Sequence, residues 1–321
     1  MRTANDRPCV LITGNNGFSG RHLARYAREL DLPHRLVGLD LRQDRDDLVD
    51  EPIVGSLHDL HLIREILADF RPIIVIHLAG SVPPATDAEL WAANVDGTVN
   101  LLESLKLAKS DARVLVVGSA AEYGPAQAEK IAESHDCRPA SAYGGAKLAQ
   151  TRLCERYARE FRLPIVVARA FNLYGPGMPP RTVIGELCRQ VADAEDGDAI
   201  ELGNVASARD FIDIRDAVSA YWLLARRGAP GEIYNVCTGH ATSVADIAAM
   251  VIAQSGKHLE LRSHPDRFNT DDFQRSCGDN AKIREHVGWQ PRIVLEKGLR
   301  DTLESLQRIK RLSPVEARIR N

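Results

Sequence analysis

The chain has 321 residues, of which 44% are hydrophobic and 26% charged, with a formal net charge of −3. That composition suits a globular protein with a well-buried core and room for a second lobe, and the charge gives no electrostatic case for a nucleic-acid partner. No apolar run approaches the roughly 20 residues that cross a bilayer, and the polar start 1–7 lacks the apolar region of a signal peptide, so a cytoplasmic protein without a membrane partner is expected. Cys9, Cys137, Cys154, Cys188, Cys237 and Cys277 form no close C-x-x-C pair. They are expected to be buried small hydrophobes rather than a metal site or a disulfide framework.

In chain order, residues 9–13 read as a strand, 18–30 as a helix and 35–39 as a second strand. Residues 60–70 read as a helix, 73–78 as a β-branched strand and 90–109 as one long helix. A strand at 113–117, a long helix at 143–162 and a strand at 165–170 complete the first half. Apolar strands without alternation are buried on both faces, and strands alternating with helices make a parallel sheet covered on both sides. After 170 the rhythm changes. Residues 174–181, rich in Gly and Pro, must be a loop. A helix follows at 184–194, and 211–214 and 233–237 read as two more strands of the first sheet.

Gly14, Asn15, Asn16, Gly17, Phe18, Ser19 and Gly20 form G-x-x-G-x-x-G between the first strand and the first helix. Glycine is needed where the chain turns tightly and where backbone must approach a pyrophosphate, and the helix start offers N–H groups and partial positive charge to it. This context turns a weak pattern into a dinucleotide site. Asp40 ends the second strand and can accept bonds from the adenosine ribose, which favours NAD. Arg42 can hold a 2′-phosphate instead, so both NADH and NADPH stay open. Gly55, Ser56, Leu57, His58 and Asp59 form a turn on the adenine side. The expected fold is therefore α/β. A Rossmann-type doubly wound parallel sheet spans 1–172 and is rejoined by about 210–237, and a smaller C-terminal α/β substrate lobe lies in 173–321.

Tyr143 and Lys147 stand one helical turn apart on one face. A free phenol has a pKa near 10, and a neighbouring ammonium makes it a better acid or base. Ser119 lies at the end of the preceding strand, where open parallel sheets place ligands. Together with the glycine turn, these three are read as the catalytic set, with Lys147 also holding the nicotinamide ribose. His77 ends a buried strand and is read as structural.

These motifs, with H-L-A-G at 77–80, N-V-D-G-T at 94–98, G-S-A-A-E-Y-G at 118–124, R-A-F-N-L-Y-G-P-G at 169–177 and R-D-F-I-D-I-R-D at 209–216, resemble the extended short-chain dehydrogenase/reductase family of NAD-dependent epimerase/dehydratase type. The resemblance runs from about residue 10 to 303. It implies an NAD(P)H-dependent enzyme acting on a nucleotide sugar. Ser119, Tyr143 and Lys147 would be its catalytic residues, and Leu78, Ala79, Gly80 and Asn94 would line the cofactor site. Ser119, Ala120, Asn172 and Arg209 would lie toward the substrate. Dehydratases of the family carry an acidic pair after the catalytic Ser/Thr. Here Ala120 and Ala121 occupy those positions, and a methyl group cannot shuttle a proton. Glu122, one residue on, is read as structural. A 4-keto reductase and a 4-epimerase remain, and a dinucleotide sensor without turnover is a third reading. The motifs are most similar to those of the GDP-4-keto-6-deoxy-D-mannose reductases. Two departures are Ala146, where a Ser usually precedes the lysine, and Asn269, Thr270, Asp271, Asp272 in place of R-P-x-D, for which Arg267 could substitute. Apolar residues on more than one face of the helices at 90–109 (Leu101, Leu102, Leu105) and 143–162 (Leu148, Leu153, Tyr157) suggest a homodimer joined by four helices, as the resemblance implies.

Overall fold

The computed structural model describes residues 7–30, 33–43, 48–126, 128–264 and 275–311. Seven parallel strands form the main sheet: β1 (Cys9–Thr13), β2 (Arg35–Asp40), β3 (Glu51–Val54), β4 (Ile74–His77), β5 (Arg113–Ser119), β6 (Ile165–Ala170) and, from much later in the chain, β10 (Ile233–Val236). Their order is β10-β6-β5-β4-β1-β2-β3, so the order reverses beside β1, where doubly wound sheets open a ligand crevice at their strand ends.

The pleat of β1 explains the layers. Val10 and Ile12 face helices α1 (Phe18–Glu29) and α7 (Ile214–Arg227) in one core. Cys9 and Leu11 face α2 (Leu60–Phe70), α4 (Gly97–Leu107) and α5 (Ala142–Phe161) in the other. A strand buried on both faces is apolar along its length, as β1 is from Cys9 to Ile12. A third core holds α6 (Val183–Asp193), α8 (Val244–Ser255) and α10 (Leu295–Arg311) against β8 (Ala199–Leu202) and β9 (Ala208–Asp213). β7 (Asn172–Tyr174), β9, β11 (Ala241–Ser243) and β13 (Arg275–Ser276) form a small sheet, and β8 pairs with β12 (Glu260–Ser263). Helix α9 (Ala281–Val287) packs on β10.

Three expectations change. The strand expected at 211–214 is β9, and it lies in the small sheet rather than the main one. Asp213 ends it by capping α7 through the Arg215 N–H, so Ile214 opens a helix that returns the chain to the main sheet. Strand β3 has no apolar run; it carries Pro52 and alternates half-buried with exposed residues, as an edge strand tolerates. The single helix expected at 90–109 is instead α3 (Asp87–Trp91), a π-helical turn over Ala92–Asp96, and α4. π-turns recur at functional sites, and this one carries Asn94.

Leu101, Leu102 and Leu105 are fully buried and Tyr157 nearly so, with Leu153 packed on the same core. These five of the residues named for a dimer contact thus serve this chain's own sheet and neighbouring helices, while Leu148 is half-buried outside that core. Five cysteines are buried and all six are free. Among the described residues no helix is long and apolar enough to cross a membrane, and no cluster of His, Cys, Asp or Glu is placed to hold a metal.

Candidate active site

The glycine turn is built by close approach. Gly14 has φ +74°, and a Cβ there would lie 2.7 Å from the Ala79 backbone nitrogen. A side chain on Gly20 would collide with the Gly14 carbonyl at 2.1 Å, so this glycine lets α1 seat against the turn. Gly17 caps α1 without a side-chain bond, which leaves the first N–H groups of the helix facing outward. They open on a cleft of about 400 Å³ lined by Gly14, Asn16, Gly17, Asp40, Arg42, Leu57, Leu78, Ala79 and Gly80. Phe18 and Gly20 stand behind the turn; Phe18 meets His22 edge-on. Asp40 accepts the N–H groups of Asn16 at 2.9 Å and Arg42 at 3.3 Å, and the Asn16 amide donates to the Arg42 carbonyl at 2.6 Å. The acid thereby ties the end of β2 to the glycine turn.

A second cleft of about 260 Å³ shares Leu78 and Gly80 with the first and holds Ser119, Tyr143, Lys147 and Asn94. Ser119 ends β5 and caps a 3₁₀ turn over Ala120–Glu122. Its Oγ accepts the Ala121 N–H at 3.2 Å and faces the Tyr143 phenol, whose pKa it pulls down. Helix α5 starts one residue before Tyr143, capped by Ser141, so Tyr143 and Lys147 present one face to Ser119. Burial pushes the Tyr143 phenol up to about 12, against the pull of Ser119. Burial brings the Lys147 ammonium down to about 8, which Glu122 and Cys154 partly oppose. Lys147 Nζ donates to the Val117 carbonyl and to Gln150 Oε1, both at 2.9 Å. His77 is held neutral, down at about 3, by burial and then by Lys147. It sits between Thr13 and Thr98 in the structural role expected of it.

Two features of this cleft were not legible as a site in the sequence. Ser81, Val82, Phe171 and Leu173 also line its wall, and as residues without acid, base or charge they do not mark themselves as part of a site. Glu122 is fully buried; it accepts the Ser119 N–H at 2.9 Å and pairs with buried Arg169 at 2.7 Å. The signal that could have found this pair is the arginine itself, a charge inside the otherwise apolar strand β6.

Asn172, Arg209 and Ala120 lie outside both cleft walls. Asn172 donates to the Asp210 carbonyl at 3.1 Å, and Arg209 to the Ala208 carbonyl at 3.0 Å. Asn172 is nevertheless flanked by the wall residues Phe171 and Leu173. Ala120 packs beside Tyr123 and Phe171. Arg267, Asn269, Thr270, Asp271 and Asp272 lie outside the described residues.

The clefts fit a nicotinamide dinucleotide. The glycine turn brings backbone N–H groups to the first. Beside the second, Asn94 Oδ1 is buried without a partner while its Nδ2 bonds the Ser81 and Leu90 carbonyls. A side chain on Gly80 would fill the space 2.4 Å from that oxygen. A buried acceptor left open at a cleft is a place for a ligand donor. Fold and site together define a Rossmann-type enzyme dependent on NAD(P).

Comparison with known proteins narrows this: the chain belongs to the NAD dependent epimerase/dehydratase family, which it matches over residues 10–237. It is 31% identical to a GDP-6-deoxy-D-mannose reductase of Pseudomonas aeruginosa, over 92% of this chain and 95% of that one. It is 30% identical to a UDP-glucose 4-epimerase of Mycolicibacterium smegmatis, over 92% and 97%. The solved structure of RMD from Pseudomonas aeruginosa complexed with NADPH superimposes with a TM-score of 0.82 at 29% identity, covering 94% of this chain and 99% of that one.

Proposed function

We propose that the protein is a nucleotide-sugar reductase that converts the C4 ketone of a GDP-4-keto-6-deoxyhexose to the alcohol. The observation that carries this reading is the second cleft, where Ser119, Tyr143 and Lys147 converge, while Ala120 and Ala121 in the turn after Ser119 offer no carboxyl to remove or deliver protons for dehydration. The reduced dinucleotide would supply the hydride to C4. Tyr143 donates its phenolic proton to the ketone oxygen, and Ser119 holds that oxygen by a hydrogen bond. Lys147 stabilises the phenolate that remains and bonds the nicotinamide ribose. Gly14, Asn16 and Gly17 hold the pyrophosphate. Asp40, Arg42 and Leu57 flank the adenosine, and Asn94 offers its free oxygen on the nicotinamide side.

The described residues of 173–209 and 238–321 form the substrate lobe, with Asn172 and Arg209 reaching the sugar diphosphate on side-chain rotation. The protein works in the cytoplasm as a homodimer paired through the outer faces of α4 and α5. A monomer by light scattering at micromolar concentration counts against that pairing.

The similarity to a UDP-glucose 4-epimerase favours a second reading, in which the same residues oxidise C4 and return the hydride to its other face. The two differ in cofactor balance. A reductase exchanges its cofactor freely and oxidises one NAD(P)H per ketone consumed. An epimerase purifies with tightly held NAD and consumes none. Purified protein incubated with GDP-4-keto-6-deoxymannose and NADPH, followed at the nicotinamide absorbance, is expected to show stoichiometric oxidation. Retained NAD with interconversion of UDP-hexoses would establish the second reading instead. No turnover of either would leave a dinucleotide-binding sensor.

A further inference from the structure

A buried polar chain runs behind the lysine. Lys147 Nζ donates to Gln150 Oε1 at 2.9 Å, and Gln150 Nε2 donates to Thr98 Oγ1 at 2.7 Å. Thr98 Oγ1 donates to the Asn94 carbonyl at 2.8 Å and meets His77 Nε2 at 2.9 Å. His77 Nδ1 meets Thr13 Oγ1 at 2.7 Å, one residue before the glycine turn. Thr13, His77, Thr98, Gln150 and Lys147 are all buried.

Proton counting fixes every direction in this chain. A hydroxyl has one proton, and Thr98 has given it to the Asn94 carbonyl, so both remaining contacts of its oxygen must come from donors. His77 therefore carries its proton on Nε2, and its bare Nδ1 accepts from Thr13. Gln150 must turn its NH₂ to Thr98 and its carbonyl to Lys147. Flipping the amide would set two donors, –NH₂ and –NH₃⁺, against each other and leave its oxygen facing one that has no proton to give. The chain has a single hydrogen-bonded state.

We propose that Gln150, locked by Thr98 and His77, is a positioning residue for Lys147: it gives the ammonium a fixed neutral acceptor and leaves one N–H for the cofactor cleft. Two donors of Nζ are committed, to Val117 and Gln150. The nitrogen lies 3.7 Å from where a Gly80 side chain would stand, at the junction of the two clefts. The groups that bear on its charge are Glu122 from the 3₁₀ turn, with Arg169 of β6 behind it, neutral His77 of β4, and Tyr143 and Cys154 on α5 itself. With an amide rather than a carboxylate in contact, burial dominates and Lys147 titrates within reach of neutrality.

The inference rests on the proposed cofactor site, and direct titration tests it without a substrate. In protein labelled with ¹³C at lysine Cε, the Lys147 resonance is assigned by its loss in Lys147→Met, and its midpoint is followed against pH. Gln150→Glu keeps the shape and places a carboxylate beside Nζ, with Thr98 turning its hydroxyl proton from the Asn94 carbonyl to the new carboxylate oxygen, so the midpoint is expected to rise by about one unit or more. Gln150→Met removes the acceptor, so the midpoint falls and NADPH binds about 10-fold more weakly, while Gln150→Glu stays near native affinity. If Gln150→Met does not fold, the near-isosteric Gln150→Glu decides alone. A Lys147 midpoint that stays within about 0.2 units of native in the folded variants overturns the proposal. Native protein that binds no NAD(P)H overturns the underlying site reading, a distinct result.

Discussion

Glu122 and Arg169 face each other at 2.7 Å with side chains 0% and 2% exposed. Replacing Glu122 by Gln keeps an acceptor for the Ser119 N–H but strands the guanidinium in the interior. Arg169 keeps its place 4.7 Å from the centre of the Tyr123 ring, a contact too weak to compensate for the lost carboxylate. Breaking a buried ion pair on one side costs about 3–5 kcal/mol. For a chain of this size that is roughly 6–10 °C in Tm, taking about 2 °C per kcal/mol. The double variant Glu122→Leu with Arg169→Met removes both charges, and such replacements are often near neutral. It loses the acceptor of Ser119 N–H, worth about 1 kcal/mol, so it should recover most of the single variant's deficit. Differential scanning calorimetry on the three proteins is the assay. A Tm within about 2 °C of native for Glu122→Gln, or a double variant no better than the single, would refute the view that this pair is a desolvated unit beneath the catalytic turn.

Tyr143→Phe keeps the ring and removes the proton, so turnover should fall about 10²-fold or more while NAD(P)H affinity, read by fluorescence titration, holds; unchanged turnover sinks the acid assignment. Asp40→Ala frees the Asn16 N–H and leaves Arg42 unopposed, so the NADPH/NADH ratio of kcat/KM should move toward NADPH. The native ratio should stay below about a thousandfold, near 4 kcal/mol, and a ratio that Asp40→Ala does not change would show that this acid never faces the ribose. Lys147 is depressed in the folded protein to about 8 from its ordinary 10.5. Between those values the unfolded chain binds more protons than the folded one, so this group's contribution to stability rises with pH across that window. Urea unfolding of native protein and Lys147→Met should therefore diverge in favour of native between pH 8 and 10, and parallel curves would contradict the depression.

Much of this was legible because the physics is local. A strand buried on both faces is apolar along most of its length, and β1, β4 and β6 announce themselves that way despite Thr13, His77 and Arg169. The glycine turn is equally plain, since Gly14 and Gly20 stand where a Cβ would strike backbone. Strand β3 was invisible because an edge strand half open to water needs no apolar run. The fate of β9 was invisible for a different reason. Buried strands of two sheets read alike, and only the cap by Asp213 and the pairing with β7 decide which sheet takes it. The π-turn that presents Asn94 has no sequence signature in N-V-D-G-T. The Glu122–Arg169 pair and the Lys147–Gln150–Thr98–His77 chain join residues 47 and 52 positions apart at their widest contacts, so no spacing rule could reveal them.

The central claim is that this site reduces a ketone at a sugar carbon with a proton from Tyr143. Deuterium transfer tests it most directly. The protein is incubated with GDP-4-keto-6-deoxymannose and NADPH deuterated at nicotinamide C4, separately on each face, and the product is weighed by mass spectrometry. The account predicts a deoxyhexose product carrying one deuterium at C4 with one labelled face, none with the other, and equal oxidation of cofactor. A ketone returned unchanged, or a product formed without label from either face, would contradict it.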